Sequence, residues 1–504
     1  MPDILLCTLN ARYSHASLGL RCLRANLGPL RERSAILEFV IGQKTEEIVE
    51  RLLAASPKVI GLGIYIWNVE EATRLVAQLK LLAPGIVIVL GGPEVSHEVD
   101  QQRICALADY VITGWGEVSF ATLVQQILSG DPPAARVIAG AQPPLDTLVM
   151  PYAEYTEEDI RQRHLYVEAS RGCPFKCEFC LSALDQTAWP FPLQPFLDAL
   201  ERLYQRGARQ FKFVDRTFNL KVDASLAVLD FFLDKIARHP EDPPFAHFEL
   251  IPDHLPERLK AAIARFPPGT LQFEIGIQTF DPAVQKRISR RQKNGVAEDN
   301  LRWLRQHSGA HLHVDLIAGL PGEDVATFAA GFDRLVALAP HEIQFGILKR
   351  LRGAPIARHT ADFDLRFAPD PPYQILATDA IDFATMQRLT RFARYWDLYA
   401  NSGRFRRSLP LLLGDAPFAG FLAYADWLYA RTGQTHALAH ERLVNLLHEY
   451  LVERGDAAVE PALLADYRGA GGRSRLRFED ATAPVPPPRA RPGGATPQRQ
   501  ARHL

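Results

Sequence analysis

The strongest constraint on the fold of this chain is the alternation of short apolar runs with helix-length segments over its first 128 residues. The apolar runs are ILLCTL, ILEFVI, VIGLGIYIW, IVIVLGG and YVITG, and each precedes a stretch with helical periodicity. Strands that alternate with helices at this spacing pair in parallel and are covered by helices on both faces. The pattern therefore predicts an α/β domain with a doubly wound parallel sheet over residues 1–130.

The same pattern indicates where this sheet would bind a ligand. In doubly wound sheets, ligands lie beyond the carboxyl ends of the strands, where the glycine-bearing loops gather. The loops that follow the apolar runs span Asn10–Gly19, Gly61–Asn68, Gly91–Ser96 and Gly114–Glu117. We expect these loops to form the binding site of the N-terminal domain.

A second run of strands and helices follows a segment that favours no regular structure. Residues 131–159 are rich in Ala, Pro and Gly and are predicted to be a linker. Strand candidates then recur as YVEAS, QFKFVD, FAHFEL, LQFEIGI, HVDLIAG and EIQFGIL, each separated by a helix-length segment. Six such units predict an open, partial (β/α)6 barrel over residues 160–350.

The remainder of the chain changes character again. Residues 351–468 are rich in leucine and aromatic residues, and apolar positions recur at three and four residues in segments such as TDAIDFATMQRLTRFARYWDLYA. This periodicity predicts a helical C-terminal domain. Residues 469–504 lack it and are rich in Pro, Gly and Arg, so we predict a disordered tail and assign it no function.

Composition argues against several classes of partner. Lys and Arg total 57 against 58 Asp and Glu, so no net charge attracts nucleic acid or an anionic membrane. The longest apolar runs are much shorter than the roughly 20 residues of a membrane span. The N-terminus MPDILLCTLNARYS also lacks the basic region of a signal peptide. We expect a cytoplasmic protein that binds neither nucleic acid nor membranes.

Three of the six cysteines lie within eight residues, in the segment YVEASRGCPFKCEFCLS. Cys173, Cys177 and Cys180 form a C-x3-C-x2-C loop directly after a strand candidate. Thiolates are favoured ligands of both iron–sulfur clusters and zinc. A closed zinc site needs a fourth ligand, and no second C-x2-C or histidine pair follows at suitable spacing. A structural zinc site and an electron-transfer cluster are the alternatives to a cluster that leaves one iron open.

The cysteine loop and the strands around it resemble the radical S-adenosylmethionine (SAM) superfamily over residues 160–350. The resemblance implies that Cys173, Cys177 and Cys180 hold a [4Fe–4S] cluster whose open iron chelates SAM, and that electron transfer to SAM yields a 5′-deoxyadenosyl radical. It also implies an oxygen-sensitive enzyme that needs a reducing electron donor of flavodoxin or ferredoxin type. Phe179 resembles the aromatic residue that shields the cluster and flanks the adenine.

Further segments resemble the SAM-binding parts of the superfamily. QFEIGIQTFDPAVQKRISRRQ and HVDLIAGLPGED are similar to the coproporphyrinogen-dehydrogenase-like branch, and QFKFVDRTFN departs from its usual glycine-glycine-glutamate segment. SAM needs an arginine for its carboxylate and acids for its ammonium and hydroxyl groups. An ordinary solvated ion pair is the alternative for each charged residue. The residues that the resemblance places at SAM are Asp215, Glu249, Gln278, Arg290, Asp315 and Gly319, with Pro321 and Gly322 in the adenine-facing turn.

A parallel sheet fused to such a barrel resembles the cobalamin-binding class of this superfamily. The stretches that carry the resemblance are LNARYSHASLGLRCL, VIGLGIYIWN, VLGGPEVS and VITGWGE. It implies that Gly63, Gly91 and Gly92 let cobalamin approach the backbone and that Tyr65 faces the corrin. The whole chain is similar to an uncharacterised group of these proteins that carries a C-terminal domain of unknown function.

His15 is the candidate axial ligand of cobalt. Cobalamin domains that ligate cobalt use an aspartate-x-histidine-x-x-glycine loop, whereas this chain has Tyr13 at the aspartate position and Gly19 four residues after His15. Without a carboxylate to orient its ring, an axial histidine lacks support. His15 is thus either an axial ligand or a hydrogen-bonding residue of the loop.

The leading hypothesis for function is cobalamin-dependent methylation of an unactivated carbon in a small-molecule substrate. One alternative is a radical rearrangement in which cobalamin binds but no methyl group moves. A non-catalytic corrinoid or iron–sulfur carrier is the alternative from a different class. A sheet that has lost cobalamin and serves as a scaffold also stays open.

Overall fold

Strand β1, Ile4–Asn10, lies inside a six-stranded parallel sheet and is buried at all seven positions. It pairs with β2, Ser34–Val40, on one side and with β3, Val59–Gly63, on the other. A parallel strand that is covered on both faces needs apolar side chains pointing both ways. The sequence ILLCTLN meets this need, because its apolar residues are consecutive rather than alternating.

The other strands of this sheet are β4 Val87–Gly91, β5 Tyr110–Thr113 and β6 Val137–Ala139, and its helices are α1 Leu18–Ala25, α2 Thr45–Ala54, α3 Val69–Leu82, α4 Arg103–Leu107 and α5 Glu117–Ser129. The strand order is β2-β1-β3-β4-β5-β6, and the pairings are parallel. Strand β6 lies within the segment predicted to be a linker. It is short and largely exposed, which explains why its sequence carries no clear strand pattern.

The helices cover both faces of the sheet. Leu5 and Cys7 pack with residues of α2, α3 and α4, including Cys105. Ile4 and Leu6, which point the other way, pack with residues of α1 and α5. The prediction of a doubly wound parallel sheet is therefore confirmed.

The computed structural model describes residues 1–455, 459–479 and 496–503. These residues form two units, of which the first comprises 1–216, 349–357 and 368–374, and the second comprises 217–348, 358–367 and the described residues from 375 onward. Among the described residues, no helix is long and apolar enough to cross a membrane.

The first unit also contains the elements that surround the cysteine loop. They are α6 Glu157–Gln162, β7 Leu165–Val167, β8 Ser170–Gly172, β9 Ala188–Pro190, α7 Leu193–Gln205 and β10 Gln210–Phe213. Strands β7 and β10 pair in parallel. Strands β8 and β9 form a short antiparallel hairpin, and the cysteine loop lies between them.

The second unit contains a parallel sheet and a helical region. Its elements are α8 Val222–Arg238, β11 Phe245–Leu250, α9 Glu257–Ile263, β12 Leu271–Gln278, α10 Pro282–Arg287, α11 Asn294–His307, β13 His311–Ala318, α12 Val325–Ala337, β14 Glu342–Ile347, β15 Arg366–Phe367, β16 Ile375–Ala377, α13 Phe383–Tyr399, α14 Leu409–Leu413, α15 Pro417–Thr432, α16 His440–Glu453 and α17 Val459–Gly469. Strands β11, β12, β13 and β14 pair in parallel in that order. The predicted α/β class with a second parallel sheet and a helical C-terminal region is confirmed.

Aromatic side chains attach the helical region to α12. Phe332 of α12 lies 5.2 Å from Phe392 and 4.8 Å from Trp396 of α13, measured between ring centroids. Phe418 and Phe421 of α15 complete this cluster. Edge-to-face contacts of this kind add to the free energy of apolar burial.

Within the predicted tail, residues 469–479 and 496–503 are described, whereas 480–495 and 504 lie outside the described residues. Residues 496–503 contact other parts of the second unit. Arg499 forms ion pairs with Glu342 at 2.7 Å and with Asp397 at 2.6 Å. Thr496 donates a hydrogen bond to the carbonyl of Gly269 at 2.7 Å.

Candidate functional site

The cysteine loop begins at a glycine that no other residue can replace without strain. Gly172 has a φ of +85°, and a Cβ there would lie 2.4 Å from the carbonyl oxygen of Thr187. The chain therefore turns sharply just before Cys173. Cys173 is buried, and Cys177 and Cys180 are partly exposed.

The three thiols lie close enough to influence one another, which suits a shared cluster. The pKa of Cys173 is raised to about 11, chiefly by burial; the backbone N–H of Phe175 opposes the rise, and Cys180 and Cys177 add to it. Among the described residues, no three His, Cys, Asp or Glu side chains are placed to bind one metal ion. A four-iron cluster gives each cysteine its own iron atom, and three thiols on one loop fit that arrangement.

Asp215, at the end of β10, ties this strand to the start of the cysteine loop. Its carboxylate accepts hydrogen bonds from the N–H of Ala169 at 3.0 Å and from the hydroxyl of Ser170 at 2.7 Å. Burial raises its pKa to about 7, and the hydroxyl of Ser170 opposes that rise. Both carboxylate oxygens of Asp215 thus accept a hydrogen bond from within the chain. The SAM amino group predicted to bind there would share these oxygens with Ala169 and Ser170.

A cavity of about 330 Å³ lies between the N-terminal sheet and helices α1 and α5, at the carboxyl ends of β3, β4 and β5. Its glycines are Gly19, Gly61, Gly63, Gly91, Gly92, Gly114 and Gly116. A Cβ on Gly91 would meet nothing nearer than the carbonyl oxygen of Ile112 at 3.8 Å, so the missing side chain leaves open space. Gly92 has a φ of +109°. The cavity thus has the small-residue wall that a large flat cofactor requires.

Four of the five residues predicted to bind cobalamin line this cavity, namely Gly63, Tyr65, Gly91 and Gly92. His15 is not among the lining residues. Its Nδ1 is hydrogen-bonded to the hydroxyl of Tyr166. The ring of Tyr65 stacks on Trp67 at 4.4 Å with an interplanar angle of 6°.

Sequence reasoning missed a charged group in the cavity wall. Arg171, two residues before the first cysteine, donates from Nε to both carboxylate oxygens of Glu168 at 3.0 Å and pairs with Glu117 at 2.6 Å. Its guanidinium also lies 4.9 Å from the ring centroid of Trp115. The position of an arginine next to the cysteine motif was the signal that could have identified it. Arg171 lines the cavity and at the same time anchors the start of the cysteine loop.

The second unit brings together acidic residues on neighbouring strands. Glu249 of β11 lies opposite Glu274 of β12, and Asp315 of β13 lies opposite Gly276. Burial raises the pKa of Asp315 well above its ordinary value, Glu274 and Glu249 add to the rise, and Arg290 opposes it. Glu274 was not predicted, because a lone acid within an alternating strand carries no distinct sequence signal.

The backbone at the end of β12 is irregular where a ligand is predicted. The parallel register shifts between Gly276 and Gln278, and Gln278 has a φ of +69°. Arg290 donates to the carbonyl of Gly276, and its Nε donates to Gln292 at 3.0 Å. A non-glycine residue in the left-handed region stores strain of about 1–3 kcal/mol and is typical of binding sites.

Two buried acceptors at this place have no hydrogen-bond partner among the described residues, namely Oε1 of Gln278 and Oδ1 of Asp315. His313 lies 3.7 Å from Oδ1 of Asp315, which is too long for a hydrogen bond. Buried acceptors almost always receive a hydrogen bond, so we expect a ligand to donate hydrogen bonds to these two oxygens. The ammonium and hydroxyl groups of SAM are such donors, and the residues fit it.

Gly319 and Glu323 lie in the turn that follows β13. Gly319 has a φ of +87°, and a Cβ there would lie 2.7 Å from Ile375, so packing alone requires glycine. Glu323 is 2% exposed and is hydrogen-bonded to the hydroxyl of Thr279. Its pKa is raised to about 8, chiefly by burial, with Thr279 opposing the rise.

We expect Glu323→Gln to remove a pH dependence of stability. The folded-state pKa of about 8 exceeds the ordinary 4.5, so the unfolded chain ionises first and the wild type loses stability as pH rises between these values. The loss is on the order of a few kcal/mol. We expect urea unfolding between pH 5 and pH 9 to show that the unfolding free energy of Glu323→Gln increases, relative to that of the wild type, as pH rises. The exposed Glu241→Gln is the control, and identical pH profiles for wild type and Glu323→Gln would contradict the expectation.

Three family models match successive parts of the chain. Residues 4–124 match the B12 binding domain, residues 167–335 match the radical SAM superfamily, and residues 361–473 match a protein of unknown function, DUF4080. The predicted cofactor set of a [4Fe–4S] cluster, SAM and cobalamin is confirmed at the level of these domains.

Curated relatives of the chain include proteins that are named methyltransferases. The chain is 27% identical over 462 residues to 2-(S-pantetheinyl)-carbapenam-3-carboxylate methyltransferase of Streptantibioticus cattleyicolor, covering 78% of this chain and 65% of that protein. It is 24% identical over 216 residues to an uncharacterized methyltransferase, PH0819, of Pyrococcus horikoshii, covering 37% of this chain and 47% of the relative. The chain thus spans less than two thirds of the length of either relative.

Solved structures share the fold. The cobalamin-dependent S-adenosylmethionine radical enzyme OxsB with aqua-cobalamin bound has a TM-score of 0.63 and 13% identity, covering 93% of this chain and 84% of that one. The radical SAM methyltransferase TsrM from Kitasatospora setae with cobalamin and a [4Fe–4S] cluster bound has a TM-score of 0.56 and 16% identity, covering 74% and 79%. The chain thus combines three regions that match, in order, the B12 binding domain, the radical SAM superfamily and DUF4080.

Proposed function

We propose that this protein is a cobalamin-dependent radical SAM enzyme that methylates an unactivated carbon of a small molecule. The observation that carries the proposal is the glycine-walled cavity in the same unit as the three-cysteine loop, with Arg171 belonging to both. When bound, the cluster and SAM supply one-electron chemistry, and cobalamin supplies a methyl group for transfer. The relatives named as methyltransferases favour methyl transfer over rearrangement.

The first unit would provide the iron ligands and the cobalamin site. Cys173, Cys177 and Cys180 hold the cluster, and Phe179 covers it. The cobalamin residues are Gly63, Tyr65, Gly91 and Gly92. Asp215 keeps the start of the loop in place through its bonds to Ala169 and Ser170.

The second unit would provide the SAM contacts. The guanidinium of Arg290, held by Gly276 and Gln292, binds the SAM carboxylate. The unsatisfied oxygens of Gln278 and Asp315 accept hydrogen bonds from SAM. The further contacts on this surface are Glu249, Glu274 and Gly319. We also propose a cytoplasmic location and an electron donor of flavodoxin or ferredoxin type.

Arg290→Met should raise the KM for SAM by about 10- to 100-fold, because a hydrogen bond to a charged group contributes about 1.5–3 kcal/mol. Methionine retains the unbranched stem and removes the charge. The neighbouring, exposed Arg291→Met is the matched control. Steady-state 5′-deoxyadenosine formation at varied SAM concentration measures the effect, and an unchanged KM would remove Arg290 from the SAM site.

The products distinguish the proposed function from its alternatives. Protein reconstituted anaerobically with iron, sulfide and hydroxocobalamin is reduced with SAM and a metabolite extract. S-adenosylhomocysteine together with 5′-deoxyadenosine supports methylation. Only 5′-deoxyadenosine indicates rearrangement, and neither product indicates a carrier, so both results would overturn the proposal. A protein that is colourless after gel filtration but retains its iron would overturn it as well.

A further inference from the structure

Basic side chains gather beside the β7–β10 pair of the first unit, around Arg12, His15, His164 and Lys212. We propose that this basic cluster binds an anionic oxygen group, carboxylate or phosphate, of the substrate, and that His15 acts there and not at cobalt. The proposal rests on the proposed function, since it names the class of substrate for that enzyme. His15, His164 and Lys212 are each partly buried, so the cluster is sheltered without being closed.

The loop after β1 is fastened to strand β7 by both backbone and side chain. The N–H of His164 donates to the carbonyl of Ser14 at 2.7 Å, and His15 forms a parallel bridge with His164. The Nδ1 of His15 is hydrogen-bonded to the hydroxyl of Tyr166. Its ring centroid lies 5.7 Å from that of His164. These contacts hold the imidazole over β7 and account for its absence from the cavity lining.

Lys212 completes the cluster from the neighbouring strand. It lies opposite Tyr166 in the parallel register of β10 and β7. Its neighbours Phe211 and Phe213 are buried, and Phe213 lies 6.0 Å from Phe196 of α7. Because successive residues of a strand point to opposite faces, Lys212 and Tyr166 lie on the face away from α7. This is the face to which His15 is attached.

The electrostatic surroundings of the two imidazoles are basic. The pKa of His15 is lowered first by burial and then by His164, Lys212 and Arg12. Burial and Lys212 also lower the pKa of His164, while a hydrogen bond to Gln210 opposes them. Gathered cations repel one another, and an anion placed among them removes that cost.

The acids near this loop have partners of their own. Glu38 forms ion pairs with Arg21 at 2.9 Å and with Arg163 at 2.6 Å. Glu158 is hydrogen-bonded to the hydroxyl of Tyr13 at 2.5 Å. A carboxylate or phosphate from the substrate is therefore the complementary charge that Lys212 and His15 favour, since ammonium and imidazolium groups both donate to such oxygens.

The cluster can be tested through the titration of His15. Full-length protein that carries the [4Fe–4S] cluster and cobalamin is labelled with [13C-ε1]histidine. The His15 signal is assigned by comparison with His15→Gln. We expect a His15 pKa below the ordinary value, with a rise of at least one unit in acetate or in phosphate and no change in acetamide. A rise in acetate alone identifies carboxylate, and a rise in phosphate alone identifies phosphate. Equal values in acetate, phosphate and acetamide would overturn the proposal.

Lys212→Met keeps the length of the side chain and removes its charge. It should raise the His15 pKa of the anion-free protein and abolish the response to anions, whereas the exposed Lys44→Met should do neither. Neither His15→Gln nor Lys212→Met should alter the visible spectrum of bound cobalamin; a spectral change in His15→Gln would instead assign His15 to cobalt. Substrate-free SAM cleavage is measured on the same samples. If the wild type cleaves no SAM, the proposed function fails, but the anion titration still tests anion binding by the basic cluster.

Discussion

Cys177→Ser should abolish SAM cleavage. Cys177 is one of the three thiols on the loop that starts at Gly172, whereas the other cysteines, Cys7, Cys22 and Cys105, are buried outside this loop. A serine hydroxyl is a poor ligand for iron in a sulfide cluster. Because enzymes accelerate reactions by about 10⁶-fold or more, the loss should span several orders of magnitude and reach the assay background. Anaerobic 5′-deoxyadenosine formation, iron content and the 4Fe electron paramagnetic resonance signal measure it.

Cys105→Ala is the matched control for this prediction. Cys105 is buried in the core beside α2 and α3 and lies outside the cysteine loop. The substitution should cost on the order of 1 kcal/mol of unfolding free energy and leave the iron content unchanged. A Cys177→Ser protein that keeps four irons and still cleaves SAM would contradict the assignment of the cluster to this loop.

Gly91→Leu should weaken cobalamin binding by about 10- to 100-fold, because overfilling a packed site costs about 1–3 kcal/mol. The backbone of Gly91 lies outside the left-handed region, so a side chain causes no strain there. Its Cβ would enter the open part of the cavity, 3.8 Å from Ile112. Hydroxocobalamin titration followed by visible absorption measures the affinity.

Gly85→Leu provides the control, because Gly85 precedes the opposite end of β4 and a Cβ there meets no atom within 4 Å. It should bind cobalamin as the wild type does. Substrate-free SAM cleavage should persist in Gly91→Leu, since the iron ligands and the SAM contacts are untouched. Wild-type cobalamin affinity in Gly91→Leu would place the cofactor elsewhere.

The cavity and the acidic surface differ in how well they could be predicted. Gly63, Gly91 and Gly92 of the cavity lie at or just after the ends of apolar strands, so their positions at the carboxyl edge of the sheet are visible along the chain. Glu274 carries no such pattern, and Arg171 is marked along the chain only by its position beside the cysteine motif. Arg171 is defined as a cavity residue by its pairing with Glu117, which is distant in sequence. Glu274 becomes part of a cluster because the register places it opposite Glu249.

The linker shows a similar limit. Residues 131–159 are rich in residues that disfavour regular structure, yet Val137–Ala139 adds a parallel strand to β5. Three residues are too short for a period to be recognised, and the open edge of β5 supplies the hydrogen bonds that order them. The pairing comes from the neighbouring strand and not from the local sequence.

Periodicity and motif spacing along the chain were enough to predict both parallel sheets, the helical region and the cysteine loop, since these depend on residues close in sequence. The sequence alone allowed two roles for His15, as an axial ligand of cobalt or as a hydrogen-bonding residue of the loop. Its bond to Tyr166 and its absence from the cavity lining appear only once β7 lies beside the loop after β1. Contacts between residues far apart in sequence depend on register and packing, and no local pattern records either of them.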